Sequence, residues 1–208
     1  MSSGSPTAAE ERRVDFDESV VLERVGWPIY ERLLALRGEA SVPRMTYLQG
    51  TLEIMSPSRN HDLIKRCLGR LVEAWTEEKG IDVTGLGSWT LERKKTRRGL
   101  EPDECYLVGE PFDDESRLPD LAIEVAWSRW KVDKLEVYRG LGVREVWVWR
   151  DGRIDVYVLR RKRYDVVAGS EVLRGVDLPL FARLAMRSNQ SAAVRELRRT
   201  LRVPTSRP

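Results

Sequence analysis

The segment from Asp120 to Ala126 constrains the fold of this 208-residue chain more than any other feature. It is apolar except for Asp120 at its start and Glu124 in its interior. Such a run is typical of a strand buried on both faces in the middle of a sheet. An unpaired charge is costly to bury, so a carboxylate inside the strand needs a partner. Glu124 is therefore either half of an ion pair or part of a functional site.

Further patterns predict a mixed α/β chain. Helical spacing predicts two short helices between Val20 and Leu36, separated at Pro28, and a long amphipathic helix over Asn60 to Glu78. Two-residue turns at Gln49-Gly50 and Asp151-Gly152 predict two β-hairpins. The remaining predicted elements are strands at 81–83, 88–93, 101–108, 118–126 and 164–168, helices at 130–141 and 191–201, an acidic loop with Asp113, Asp114 and Glu115, and a loop containing Pro179. Together they predict a central mixed β-sheet flanked by helices.

Length and composition limit the organisation of the chain. We expect a flexible leader over 1–17, one domain over 18–185, and a basic C-terminal helix and tail over 186–208. A content of 41% hydrophobic and 33% charged residues excludes a disordered or membrane-embedded protein, and we expect a cytoplasmic location. Cys67 and Cys105 lack the spacing of a zinc site or disulfide framework, so we expect buried thiols. His61 is the single histidine, which excludes a multi-histidine metal site.

Basic residues are concentrated in three parts of a chain whose net charge is only +3. One run holds Arg93, Lys94, Lys95, Arg97 and Arg98. A second run covers 160–163, and the third part is the arginine-rich stretch from Arg183 onward. Such runs either contact nucleic acid phosphates or form a solvated surface, and the sequence leaves both interpretations open.

Four carboxylates stand in predicted strands or at their entrances, namely Glu53, Asp103, Asp120 and Glu124. Two or three such groups that converge form the oxygen ligand set of Mg²⁺, which commonly assists phosphodiester hydrolysis. The alternative is that they form salt bridges with arginines. Lys134 follows Glu124 by ten residues on a predicted helix. Its ammonium could reach back over the strand end and orient a water molecule, or it could be an ordinary surface lysine.

Five separated motifs carry a resemblance to a known family. They are Gly50 to Pro57 with His61, Glu101 to Tyr106, Pro119 to Val125, Lys134 to Tyr138, and Gly142 to Trp147. In consistent order over about residues 20–185, they are similar to the Uma-two family of bacterial proteins, which is abundant in cyanobacteria. That family is assigned to restriction endonucleases of the PD-(D/E)XK nuclease superfamily. The resemblance thus implies a PD-(D/E)XK restriction-endonuclease-like core.

The resemblance also implies roles for individual residues. In the superfamily, an aspartate on one strand and a carboxylate on the next bind the metal, and a lysine follows two residues later. Asp103 and Glu124 match the two carboxylates, but the lysine position holds Ala126, so the resemblance implies that Lys134 replaces it. Asp120 is a weaker third candidate ligand, or else it caps a loop. Glu53 and His61 match positions near the cleft, although His61 could equally cap the helix that follows it.

The implied function is a DNA endonuclease that hydrolyses phosphodiester bonds with Mg²⁺, or Mn²⁺. Asp103, Glu124 and Lys134 would be catalytic, and the run from Arg93 to Arg98 would bind DNA phosphates. We expect DNA as a partner, a homo-oligomer, in its simplest form a dimer, and no membrane association. One alternative is a nuclease-fold protein that binds nucleic acid or a protein partner with weak or no cleavage. Another is an oligomerising module in which Trp127, Trp130, Trp147 and Trp149 form an interface instead of core.

Overall fold

A computed structural model describes residues 15–109 and 117–202 of the chain. The acidic residues Asp113, Asp114 and Glu115 of the predicted loop lie outside these ranges, as do residues 1–14 of the predicted leader. Asp15 to Asp17, the end of that leader, are described and contact the rest of the domain.

The described residues form helices and strands in a mixed order. The strands are β1 Glu18–Leu22, β2 Arg44–Leu48, β3 Thr51–Ser56, β4 Val83–Gly85, β5 Leu91–Arg93, β6 Arg98–Leu100, β7 Glu104–Val108, β8 Leu121–Val125, β9 Glu145–Arg150, β10 Arg153–Arg160 and β11 Arg163–Val167. The α-helices are α1 Trp27–Arg37, α2 Arg59–Lys79, α3 Lys134–Leu141, α4 Leu178–Ala185 and α5 Gln190–Arg202. A single 3₁₀ turn covers Lys94–Thr96.

A six-stranded mixed sheet has the order β11-β10-β9-β8-β7-β4. Strand β8, the apolar segment that carries Glu124, lies inside it between two neighbours. It runs parallel to β9, with Glu124 opposite Val148, and antiparallel to β7, with Ile123 opposite Glu104. The predicted central mixed sheet is therefore confirmed.

A second sheet was not predicted. It contains five antiparallel strands in the order β1-β3-β2-β6-β5. The hairpin of β2 and β3 at its centre is the one predicted from Gln49-Gly50. The short strand β6 comes from the basic run, whose charge gave no sign of a strand buried along its whole length.

Helices cover both faces of the six-stranded sheet. Leu121, Ile123 and Val125 pack in one core with α2, α4 and α5, while Ala122 belongs to the core under α3. Glu124 alternates with Ile123 and Val125, so it points to the α3 face of the sheet. Trp147 and Trp149 are buried in the first core. These two tryptophans are therefore core residues and not interface residues.

Several predicted elements are wrong in detail. The first predicted helix is strand β1, because Val20 and its neighbours pair with β3. The predicted loop at Pro179 is helix α4, which accepts the proline in its first turn and is capped by Asp177. Helix α3 begins at Lys134 and not at Trp130, because the side chain of Asp133 caps it by accepting the backbone N–H of Glu136.

Other predictions are confirmed. The long helix, the Asp151-Gly152 hairpin and the C-terminal helix appear within two residues of their predicted bounds. Cys67 and Cys105 are free and buried, and burial raises the pKa of their thiols to about 11 and about 12. None of the described helices combines the length and the apolar content that crossing a membrane would need.

Candidate active site

The Glu124 carboxylate is fully buried and accepts hydrogen bonds from two residues of one helix. The Lys134 ammonium donates to Oε2 over 2.6 Å. The Tyr138 hydroxyl donates to Oε1. Burial, reinforced by the negative charge of Glu124, raises the pKa of Tyr138 well above its usual value. Tyr138 therefore stays protonated and remains a donor.

Helix α3 positions both donors. Lys134 and Tyr138 are four residues apart, so they project from the same side of the helix. The helix ends at Gly142, whose φ of 100° lies in the left-handed region that glycine adopts readily. This abrupt end lets the chain enter β9, which lies beside β8. The unit β8-α3-β9 thus holds Glu124 and both of its donors.

The Asp103 carboxylate is also fully buried, and its donors come from three different elements. His61 of α2 approaches Oδ1 with Nε2 at 2.9 Å, and Arg44 of β2 forms an ion pair with the same oxygen. The backbone N–H of Val125 donates to Oδ2 over 2.7 Å. Asp103 therefore joins the two sheets and the start of α2.

His61 lies between two carboxylates and does not cap its helix. Its Nδ1 is 3.0 Å from Oδ2 of Asp17, while Nε2 faces Asp103. An imidazolium can donate to both carboxylates, whereas a neutral ring can donate to only one. The helix is capped by Ser58, whose hydroxyl accepts the backbone N–H of His61.

Asp17 completes this arrangement. Its Oδ1 accepts the backbone N–H of Ser58 at 2.8 Å. Burial alone would raise the pKa of Asp17, but hydrogen bonds from His61 and Ser58 outweigh it and hold the pKa below its usual value. Asp17 is therefore ionised over the whole neutral range.

The two carboxylate clusters meet at a small cavity between the sheets. Its volume is about 20 Å³, which is room for about one water molecule. Asp103 and Glu124 do not line it themselves, but their partners Arg44, His61 and Lys134 do. The cavity is therefore lined by the partners of the two carboxylates and not by the carboxylates themselves.

Glu53 also lines this cavity. It lies on β3 opposite Thr46 of β2 and is only 5% exposed. Among residues 15–109 and 117–202, no hydrogen bond or ion pair to the Glu53 side chain is present. Buried polar side chains normally have a partner. Glu53 is thus an acceptor available to a molecule that enters the cavity.

Asp120 lies apart from this site. It stands just before β8, at the end of the strand opposite to Val125, and it does not line the cavity. Its Oδ2 accepts the backbone N–H of Val108 at 2.9 Å and a hydrogen bond from Arg117 at 3.1 Å. These contacts correspond to the loop-capping role that the sequence left open.

The described ranges contain no group of three or more His, Cys, Asp or Glu side chains placed to hold a metal ion together. Carboxylate chemistry near the cavity comes from Asp103, Glu124 and Glu53. Each oxygen of Asp103 and Glu124 already accepts from a protein donor. These residues are nevertheless the ones that could bind a divalent cation.

The basic run contributes mostly internal contacts. Arg98 is 7% exposed and donates to the Glu136 carboxylate over 2.6 Å. Its side chain crosses α3 at Gly140, where a Cβ atom would overlap it. Hydrogen bonds from Arg139 and Arg98 lower the pKa of Glu136 to about 2.

The other members of the run are all exposed but differ in their contacts. Arg97 donates to the Tyr47 hydroxyl, and Arg93 donates to the carbonyl of Gly140. Lys94 is exposed and forms an ion pair with Glu31. Lys95 is exposed. Lys94 and Lys95 are therefore the members best placed to reach an external phosphate.

Most described arginines of the other two basic stretches form surface ion pairs. Arg160 contacts Glu171, and Arg163 contacts Asp165. Arg198 and Arg202 of α5 pair with acidic residues near the end of α2. The C-terminal basic helix is thus tied to the domain through its charges.

Three residues of the site were missed in the sequence. Tyr138 carried a signal, because it stands four residues after Lys134 on the same helix face. Arg44 carried only the weak signal of a charge at the start of a hairpin strand. Asp17 carried none, because it stands at the edge of a polar leader.

An α/β domain with this mixed sheet and helical cover fits a restriction-endonuclease-like fold. A family model described as "Putative restriction endonuclease" matches residues 27–187. The chain belongs to this family, Uma2.

Other comparisons add little. A crystal structure described as "a putative nuclease belonging to DUF820", from Anabaena variabilis ATCC 29413, is 18% identical with a TM-score of 0.46. The similarity covers 78% of this chain and 96% of that one. No curated protein matches the chain.

Proposed function

We propose that the protein is a metal-dependent DNA endonuclease that hydrolyses phosphodiester bonds. The observation that carries the proposal is the 2.6 Å contact between Lys134 and Glu124, beside the cavity that the partners of Asp103 also line. A lysine that joins the second-strand carboxylate from the following helix supplies what the sequence lacks at Ala126. Family membership supports nuclease chemistry in general.

The donor chemistry fits Mg²⁺ or Mn²⁺. Mg²⁺ is usually held by one or two carboxylates, with water and substrate phosphate completing its coordination. Asp103 and Glu124 would hold the ion, which supplies Lewis-acid stabilisation of the phosphate and a more acidic water. Since both carboxylates are compensated by Arg44 and Lys134, the ion has to compete with these cations.

The chain's own residues would then act on the substrate from the cavity wall. Lys134 can donate to the attacking water or to a phosphate oxygen when its contact with Glu124 is exchanged. Arg44 offers a second positive charge near Asp103. It can stabilise the negative charge that develops on the phosphate in the transition state. Glu53, whose side chain has no partner among the described residues, can accept a hydrogen bond from water.

The experiment is cleavage of supercoiled plasmid with Mg²⁺, with Mn²⁺ and with a chelator. We expect nicking with either metal and none with the chelator. Lys134→Ala should lower cleavage by at least tenfold while metal binding, followed by calorimetry, is retained. Lys131→Ala is the matched control, because Lys131 is exposed three residues earlier. Equal loss in both variants would contradict the role of Lys134.

DNA contact is tested separately by salt titration of duplex binding. Replacement of Lys94 and Lys95 by alanine should flatten the dependence of log affinity on log salt by roughly 1.8, since each phosphate contact contributes about 0.9. Such contacts carry no base information, so all sequences should weaken alike. An unchanged slope would mean that this turn does not touch DNA.

A second candidate is a protein that binds DNA or a protein partner without cutting. It is favoured by the engagement of every oxygen of Asp103 and Glu124 in protein contacts. Retention of DNA without nicking, with either metal, would support this candidate. Absence of duplex affinity even at low salt would leave the protein partner.

A further inference from the structure

A second, larger cavity opens along the first two turns of α2. Its volume is about 610 Å³, in the range of small-molecule sites. The helix contributes Arg59, Asp62, Leu63, Lys65 and Arg66 to its lining, together with Glu104 from β7. It shares no lining residue with the small cavity. Glu104 nevertheless directly follows Asp103 in the chain. A lining residue of the larger cavity is therefore adjacent in sequence to a residue of the candidate active site.

Glu104 is the unusual member of this set. It is the first residue of β7 and is 9% exposed, yet its side chain forms no hydrogen bond or ion pair with any residue in 15–109 or 117–202. Burial raises the pKa of Glu104, and the charges of Lys65 and Arg66 oppose that effect. Buried polar side chains normally have a partner. The carboxylate is therefore an acceptor without a donor among the described residues.

Gly69 makes room for this carboxylate. It lies in the middle of α2, where glycine weakens a helix relative to alanine. A Cβ atom at this position would lie 3.3 Å from Cδ of Glu104 and 3.2 Å from the Tyr106 hydroxyl oxygen. The helix thus gives up stability at the point where the Glu104 side chain approaches it.

Apart from Glu104 and the exposed Asp62, the charged side chains of the lining are cationic. Arg59 and Arg66 are exposed, and the Lys65 ammonium donates to Ser88 over 3.1 Å. Arg59 is the first residue of α2, where the helix dipole adds positive potential. Leu63 is 40% exposed and adds apolar surface. A simple anion would be repelled by Glu104, and a simple cation by these three side chains.

We propose that this cavity holds a nucleotide of the substrate strand, with Glu104 accepting the exocyclic amino group of cytosine or adenine and the basic side chains binding the adjoining phosphate. A molecule with both an amino group and a phosphate satisfies both parts of the lining. Carboxylates accept from cytosine N4 in known DNA recognition. The proposal rests on the proposed function, because it assigns base preference next to the cleavage site.

The test uses mononucleotides, so that it needs no cleavage. Calorimetry on the whole chain compares 5′-dCMP and 5′-dAMP with 5′-dTMP, whose carbonyl oxygens would face the carboxylate. We expect about tenfold tighter binding of the amino-bearing nucleotides. Glu104→Gln should remove this preference, whereas Glu77→Gln, at an exposed position near the end of α2, should keep it. Lys65→Met should weaken all three nucleotides alike.

A second variant separates recognition from folding. Gly69→Ala leaves the charge of Glu104 in place but displaces its carboxyl group, so it should reduce the preference by at least threefold while circular dichroism shows a folded protein. Equal binding of all three nucleotides by the wild type, or a preference that survives Glu104→Gln, would overturn the proposal. DNA cleavage without nucleotide preference would refute this site alone. Nucleotide preference without cleavage would refute only the nuclease function.

Discussion

The two buried carboxylates of the candidate site are held in opposite ways. Glu124 receives its donors from one short helix, 10 and 14 residues further along the chain. Asp103 receives donors from β2, from α2 and from the end of β8, and His61 is 42 residues away. The Glu124 cluster is thus built within one β-α-β unit, whereas the Asp103 cluster depends on how the sheets and α2 are assembled. Loss of Asp103 should accordingly disturb the fold, and loss of a donor to Glu124 should disturb mainly the docking of α3.

The largest effect is expected for Asp103→Ala. The substitution leaves Arg44 and His61 buried without their acceptor, so we expect the free energy of unfolding to fall by about 3–5 kcal/mol. Urea denaturation measures it. Asp165→Ala, which breaks an exposed ion pair with Arg163, is the control and should change stability by less than about 1 kcal/mol. Similar small losses for both variants would mean that Asp103 does not hold the assembly together.

Lys134→Met should have the next largest effect on the free energy of unfolding. It keeps the aliphatic stem but leaves Glu124 with Tyr138 as its remaining donor, so we expect a loss of about 2 kcal/mol. Lys131→Met, on the exposed side, should leave the unfolding midpoint unchanged. A loss of stability as large as that of Asp103→Ala would mean that the Glu124 cluster holds the fold together as much as the Asp103 cluster does.

The sequence predicted the Glu124 cluster, which is local in the chain, but not the Asp103 cluster, which is assembled from distant elements. The reason is physical. Spacing along one strand and one helix determines which side chains share a face, so Glu124 and Lys134 could be paired in advance. Contacts between the sheets depend on tertiary packing, which a pattern of local spacing does not encode. Arg44 and Asp17 were missed on that account, as was β1, whose pairing with β3 overrides its helical spacing.

Asp17→Asn tests the Asp103 cluster through the pH dependence of the free energy of unfolding. The pKa of Asp17 is lowered in the fold, so its ionised form contributes stability above the unfolded value of about 3.9, and this contribution is lost as pH falls toward the folded value. The variant should lose about 1.5 kcal/mol at neutral pH and show a shallower decline below about pH 4. Urea melts at pH 7 and pH 3 measure both. Asp82→Asn, at an exposed residue, should follow the wild type.

Tyr138→Phe should have the smallest effect. It removes one hydrogen bond to Glu124 while the ring remains packed, so we expect a loss of about 1 kcal/mol. Thermal unfolding measures it, and amide exchange should quicken in α3 while β2 is unaffected. Faster exchange in β2 would show that the two clusters act as one unit.

Arg98 lies across α3 at Gly140, and this contact has a consequence for how such sequences can diverge. Any side chain at position 140 would occupy the space of the arginine, so position 140 can enlarge only if position 98 loses its long side chain. Residues 98 and 140 should consequently change together in homologous sequences although they are far apart in the chain. Their joint variation would mark the contact between the five-stranded sheet and α3 in proteins for which only sequences are known.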